Sequence, residues 1–396
     1  MNNYFDPYNW QTMLSLHPVQ NYNISEYYEI LCPKNDWPFF LNRYLELPVL
    51  KRLSGIGLLC GTDWTPLDKN RFYYSRLDHS LGVALIVWHF TLDKAQTIAG
   101  LLHDISTPVF SHVSDFRKGD ALTQTATEEP TARIIRGDAE LGRLLTEDGL
   151  TPALVEDYHI YPIADNEIPQ LSADRLEYMF PSGMALDGSW TMYEIRRCYN
   201  DLVILKNEDG KDELGFQHVE IAELYCEHFC MIGHILQLNE NKLALHMLGQ
   251  IMNLAEKEGV LSEEDFMTLS ERDVINKLEK SLSSSALTRQ SFQNDSQAKS
   301  GNDIYLLKRL YKTFRTMTSI EHTDNELTND SYFCVNLKVK QRYINPLVKS
   351  AVVSTGSTTV PNENNVRLSE VSEKARRIIE DFKTYSDTAY GCVKLV

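Results

Sequence analysis

The sequence predicts a mostly α fold with a small α+β appendage at its C-terminal end, and three observations carry that reading. Apolar residues recur at three- and four-residue spacing through most of the chain, as in Leu81, Ala84, Leu85 and Trp88, then Ile98, Leu101 and Leu102. Alternation appears only late, where Val335, Leu337 and Val339 interleave with Asn336, Lys338, Lys340 and Arg342, the pattern of a half-exposed strand. Between the two regimes lies a polar stretch, SLSSSALTRQSFQNDSQAKSGN, low in apolar content. The chain therefore divides into an N-terminal clasp (1–45), a helical domain (46–280), a linker or exposed loop (281–302) and the appendage (303–396). At 396 residues and 43% hydrophobic content it can bury a core spread over two or three structural units.

Residues 1–45 are rich in Tyr, Asn, Trp and Pro without long periodicity. They read as a clasp over the helices, its tyrosines packing as amphipathic surface plugs without chemistry. Leu50, Leu53 and Ile56 resume helical spacing, which stops at Gly57 and Gly61. Residues 76–112, RLDHSLGVALIVWHFTLDKAQTIAGLLHDISTPVFSH, hold two helical patterns with Asp93 as the cap between them. A short break favours an antiparallel pair, which returns His79, opening the first helix, and His103, closing the second, to one end. The stretch 116–169 mixes charges with modest helical pieces such as 132–145 and reads as a lobe over the mouth of a site. LSADRLEYMF (171–180) opens another helix, and long helical patterns cover 190–204 and 219–257. His228, His234 and His246 lie there without a second ligand type and are structural. After the late strand, STGSTTVPNENN is a loop, and Ser369 caps a helix whose apolar face holds Val371, Ala375, Ile378, Ile379 and Phe382.

Chemistry concentrates in residues 76–112. Asp104 follows His103 inside the apolar context GLLHDIS, where two buried ionisable groups are costly unless paired or bound to metal. His112 lies a short loop beyond. A lone histidine here would be an ordinary core residue. Two or three imidazoles and a carboxylate at one end of a buried hairpin make a divalent-metal site. Arg76, three residues before His79, is placed to hold a phosphate oxygen bidentately, the alternative being an ion pair with Asp78.

RLDHSLGVA followed by LLHDISTPVFSH resembles the HD-domain superfamily of metal-dependent phosphohydrolases, and within it the deoxynucleoside triphosphate triphosphohydrolase-like branch. LPVLKRLSGIGLLCG (47–61) resembles that branch's entry helix, and SADRLEYMF its last metal-ligand helix. The resemblance implies a helical HD-domain core in which His79, His103, Asp104 and Asp174 hold one divalent ion. Two nitrogen and two oxygen ligands do not choose among manganese, iron, magnesium, nickel and zinc. Such an ion lowers the pKa of water and polarises a phosphoryl oxygen, so Asp104 counts as catalytic as well as ligating. By the same resemblance Arg76 and Arg175 hold phosphate and Tyr178 contacts the sugar. Read alone, Asp174 is a helix cap, Arg175 a surface cation and Tyr178 a core aromatic.

The family's Gln-Leu pair falls on Leu58 and Leu59, its second HDxGH histidine on Thr107, and its His-Glu pair on Thr127 and Glu128. An aliphatic hydroxyl has no suitable pKa for a general acid, which leaves that role to His112 or Glu128, or to a leaving group that needs none. The implied substrate is a nucleotide, with dNTP going to deoxynucleoside plus triphosphate. Hydrolysis of another phosphoester, such as a nucleoside monophosphate or cyclic nucleotide, and a nucleotide-sensing binding module are the alternatives. The resemblance also implies a homo-oligomer. KVKQRYINP (338–346) resembles the family's C-terminal strand, where basic segments serve assembly or effector binding; from its residues alone it is a solvated strand face, the reading preferred here.

A net charge of -16 argues against extended nucleic-acid binding and anionic membrane surfaces, while leaving room for a local basic pocket. No apolar run reaches the length of a membrane span, and the polar, aromatic N terminus lacks a signal-peptide layout, so a cytoplasmic location is expected. Seven scattered cysteines without a CxxC pair argue against a disulfide framework or structural zinc cluster.

Overall fold

A computed structural model describes residues 24–68, 70–119, 130–283, 295–327, 329, 331–349 and 365–396. The fold is mostly α, with a small α+β portion contributed by the C-terminal residues. The predicted hairpin consists of helices Arg76–Thr91 and Lys94–Leu102. Asp93 caps the second by accepting the Gln96 N–H at 2.9 Å, and Leu92, in the left-handed region at φ 51°, makes the turn between them. Gly100 brings the two helices close, since a Cβ there would already touch Val83 Cγ1 at 3.3 Å.

Other patterns are broken where the chain must turn. The 46–61 stretch shortens to Pro48–Lys51 and a 3₁₀ turn, Arg52–Gly55. The piece at 132–145 is two helices, Thr131–Gly137 and Ala139–Glu147, divided at the extended residue Asp138. The 219–257 pattern splits at Leu238 into Val219–Gln237 and Asn239–Lys257. Of the 281–302 stretch, 281–283 end the Glu271–Ser283 helix and 295–302 begin Asp295–Thr316.

Two sheets tie the C-terminal residues to the helices. In the first, β1 (Leu202–Lys206) and β2 (Asp212–Phe216) form an antiparallel hairpin. Beside β2 runs β5 (Leu347–Val348) in parallel, and β6 (Val366–Arg367) pairs antiparallel with β5. Arg367 locks β6 in place through a 2.6 Å ion pair with Glu213, which is fully buried on β2. In the second sheet β7 (Tyr390–Lys394) lies between β3 (Glu321–Thr323) and β4 (Tyr332–Val335), all antiparallel.

Three expectations are corrected here. The late strand stops at Val335, opposite Gly391 of β7. Leu337 and Val339 then pack on the neighbouring core instead of continuing a ladder. The cap of the last helix, Glu373–Thr384, is Ser372, whose Oγ accepts the Ala375 N–H at 3.0 Å; Ser369 bonds Asn345. Cys334 and Cys392, directly opposed on β4 and β7, are disulfide-bonded, a pairing that a separation of 58 residues conceals in the sequence.

The apolar residues form two clusters. The larger holds the clasp, the hairpin and the Ala173–Leu186 helix, and takes in Ile344, Ile379 and Phe382 from the C-terminal portion. The smaller joins Val109, Phe110, Val113 and Phe116 to the Asn239–Lys257 and Asp295–Thr316 helices. Residues 103–112 cross from one cluster to the other. That crossing places the predicted site at the seam. Among the described residues no helix is long and apolar enough to cross a membrane.

Candidate metal centre

Ser75 and Asp78 form a capping box at the start of the Arg76–Thr91 helix. That box consumes Asp78, so Arg76 turns inward rather than pairing with it. Its Nη1 donates to Asp104 Oδ2 at 2.9 Å and its Nε to Ser111 Oγ at 3.0 Å. On the Ala173–Leu186 helix the cap is Ser172, whose Oγ accepts the Arg175 N–H. Asp174 is therefore not the cap, and its Oδ1 lies 3.0 Å from His79 Nε2.

The structure brings His79, His103, Asp104 and Asp174 together. His79 Nε2 is 4.0 Å from Asp104 Oδ2, and His103 Nε2 is 3.5 Å from that oxygen and 3.9 Å from Asp174 Oδ1. Ligands about 2.1 Å from one centre stand roughly 3 to 4 Å apart; His79, His103 and Asp104 each offer one atom within 4.8 Å of the others, while Asp174 Oδ1 lies beside the two imidazoles. The remaining ring nitrogens fit too. His103 Nδ1 donates to the Gly100 carbonyl at 2.7 Å, and His79 Nδ1 to Glu177 Oε2 at 2.5 Å, leaving each Nε2 for a metal.

Glu177 is fully buried and was not singled out from the sequence. Besides His79 it accepts the hydroxyls of Tyr27 at 3.0 Å and Tyr74 at 2.6 Å through Oε1. Tyr27 and Tyr28 are thus no surface plugs. Both are fully buried, and Tyr28 OH reaches Asp78 Oδ1 at 3.2 Å. The signal for Glu177 was its position three residues after Asp174, on the same face of the helix.

The electrostatics match a cation site. Burial works against charge on His79, but Asp174 and Glu177 on its two ring nitrogens outweigh it and lift the imidazole to about 10. A proton on Nε2 thus does what a metal would do between the carboxylates. Burial opposes ionisation of Asp104 and Asp174 as well. Arg76 and the histidines prevail at Asp104, and His79 and His103 at Asp174, holding both carboxyls well below the usual range. Thr107, standing where the family has histidine, donates to Asp104 Oδ1 at 2.7 Å and fixes its plane.

Phe110 and Ser111, both in the left-handed region at φ 59° and 50°, turn the chain to present His112. Its Nδ1 lies 3.0 Å from Asp115 Oδ2, and Asp115 is fully buried. Burial lowers the His112 pKa, aided by Arg342 and Arg76 against the pull of Asp115, so the imidazole is neutral at pH 7. Arg175 lines the cavity but is largely engaged. Its Nε donates to the Gln170 carbonyl at 2.9 Å, Nη2 bonds Asn166, and Nη1 is 3.3 Å from Asp165. Tyr178 also lines the cavity; its hydroxyl has no protein partner among the described residues, and burial pushes it up to about 12. Glu128 and Thr127 lie outside the described residues.

These groups open on a cavity of about 440 Å³. Its walls include Leu58 and Leu59 and, unanticipated from the sequence, Tyr158, His159, Lys340 and Arg342. Tyr158 packs on His103 with ring centroids 4.9 Å apart and points its hydroxyl at Asp174 Oδ2, 3.5 Å away.

No family model matches the sequence. Over 227 residues the chain is 25% identical to the uncharacterized protein YdhJ of Bacillus subtilis, covering 56% of this chain and 66% of that one. Over 128 residues it is 27% identical to the metal-dependent phosphohydrolase cns2 of Cordyceps militaris, covering 32% and 36% respectively. The matches therefore span less than two thirds of either relative. A hypothetical protein from Aquifex aeolicus, known from its crystal structure, superposes with a TM-score of 0.52 at 14% identity over 89% of this chain and 91% of that one. That last likeness is one of fold. One of these relatives is named a metal-dependent phosphohydrolase, and in this chain His79, His103 and Asp104 form a cluster that could hold a metal ion.

Proposed function

We propose that the protein hydrolyses a nucleotide at this centre, converting a dNTP to its deoxynucleoside and triphosphate. The observation that carries the reading is the clustering of His79, His103 and Asp104 on the cavity wall, with Asp174 Oδ1 3.0 Å from His79 Nε2. The substrate class follows from the motif resemblance and from the cations lining a cavity in a chain of net charge -16.

A divalent ion held by the four residues supplies Lewis-acid polarisation of a phosphoryl oxygen. Arg76 holds positive charge beside the same point. Burial disfavours that charge, but Asp104 keeps the guanidinium fully protonated, so it offsets negative charge developing on phosphate. His112, neutral and oriented by Asp115, offers Nε2 to a proton at neutral pH. Tyr178 OH is positioned to donate to a substrate oxygen, which would relieve the cost of its lone burial.

The test is to strip the chain of metal, restore manganese, and resolve the products formed from each dNTP and NTP. Release of intact triphosphate, lost in Asp104→Ala, supports the reading. Orthophosphate or monophosphate products would move the protein to another phosphoesterase class. Nucleotide binding without any product would make it a sensor.

A further inference from the structure

Part of the cavity wall comes from far down the chain. Lys340 and Arg342, which sequence alone reads as the polar face of a strand, line it together with Val339. After Val335 the chain leaves the sheet and lies along the end of the Val219–Gln237 helix. Gln237 Nε2 donates to the Lys340 carbonyl at 3.2 Å. Gly233 lies beside the segment, a Cβ there standing 3.6 Å from the Arg342 carbonyl, while the tight contact, 2.8 Å, is with the Phe382 ring. Just beyond, Ile344 is fully buried and the Asn345 N–H donates to the Pro169 carbonyl at 2.8 Å. The segment is anchored to the helical domain on either side of its two cations.

Both line the cavity, Arg342 half-buried and Lys340 exposed. Beyond the effect of burial, the charge of Arg342 is felt by His112 and by Tyr178, on two different elements of the wall. Arg76 and Arg175 line the same cavity from the helical domain. Lys340 and Arg342 add two further positive charges to the same cavity.

We propose that Lys340 and Arg342 grip the anionic tail of a polyphosphate-bearing nucleotide, so that the C-terminal segment completes the substrate site and favours triphosphates over monophosphates. This rests on the nucleotide reading above, and the experiment keeps the two separable. The probes are the α,β-imido analogues of the four deoxynucleoside triphosphates and the matching monophosphates, titrated into the metal-loaded full chain in excess magnesium. The wild type is expected to bind at least one triphosphate analogue about ten-fold or more tighter than its monophosphate. Arg342→Ala and Lys340→Ala should each lose most of that preference with monophosphate affinity and the unfolding midpoint unchanged, and Arg342→Lys should restore part of it. Equal affinity for both probe classes in the wild type, or an undiminished preference in both alanine variants, overturns the assignment. Turnover is scored separately. A preference that depends on Arg342 in a chain that hydrolyses no nucleotide refutes the phosphohydrolase reading and supports this one.

Discussion

Gly82 lies inside the Arg76–Thr91 helix, where replacing glycine with alanine ordinarily helps by up to about 1 kcal/mol. Here the opposite is expected. A Cβ at position 82 would stand 2.4 Å from Glu177 Oε1 and 2.7 Å from both Cδ and Cγ, against about 3.4 Å for an ordinary contact. Glu177 is fully buried and fastened by Tyr27, Tyr74 and His79, so it cannot swing away as a surface side chain would. Overpacking of this kind costs about 1–3 kcal/mol, and each buried hydrogen bond broken in making room adds about 1–3 more. After subtracting the helix-propensity gain, Gly82→Ala should destabilise by roughly 2–4 kcal/mol. Urea unfolding gives the number. Gly142→Ala, a helical position with nothing within 4 Å of the added Cβ, is the control and should be neutral or slightly stabilising. Gly82→Ala should also weaken metal binding, because a displaced Glu177 no longer orients His79. A Gly82→Ala variant as stable as Gly142→Ala would refute the claim that Glu177 is immobile behind His79.

Three further outcomes follow from the same contacts. Glu271, buried against Gly57 N–H and Trp64 Nε1, is pushed up to about 8 by burial and then by Asp63. Its folded-state pKa exceeds the unfolded one, so its share of stability is complete below about 4.5 and is lost as pH rises towards 8. Urea midpoints between pH 5 and 8 should therefore fall more steeply for the wild type than for Glu271→Gln, and equal slopes would contradict this. Thr107→Val removes the bond to Asp104 and should weaken manganese binding about ten-fold in chelator competition; unchanged affinity would leave Arg76 as the sole orienting partner. Asp104→Asn and Asp174→Asn should each abolish tight metal binding, read by elemental analysis after dialysis, while helical circular dichroism is retained.

The helical hairpin, and with it the meeting of His79 and His103, was legible because it rests on local rules, whereas Asp174 was reached only through the motif resemblance. Apolar spacing gives the helices, Asp93 gives the break, and the break returns His79 and His103 to one end. What was not legible depends on distant partners. Tyr27 and Glu177 are 150 residues apart, and nothing in an aperiodic, Tyr-rich segment says which hydroxyl will reach a buried carboxylate. Lys340 is solvent-exposed as read, but that it and Arg342 line the cavity was not legible, for a related reason. Alternation shows that a chain is extended but not what lies beside it, and here the neighbour is a helix end rather than a strand. Arg175 matched its motif, yet the loop at 165–170 folds back and takes most of its donors.

Glu177 says most about what the site was built to hold. A fully buried carboxylate costs several kcal/mol unless opposing charge and hydrogen bonds compensate it, and among the described residues no Arg or Lys pairs with Glu177. Its hydrogen-bonding partners are two tyrosines and one imidazole, so the one available positive charge must come through His79. That charge is either a proton on the ring or a cation on the far side of it. With Asp104 and Asp174 gathered at the same nitrogen, three carboxylates surround two histidines and one arginine. Arg76 offsets one of these charges, and protonated imidazoles or a cation at the two Nε2 atoms would offset the rest. The cavity beyond carries positive charge in Lys340 and Arg342. A purely structural carboxylate at position 177 would need no such arrangement.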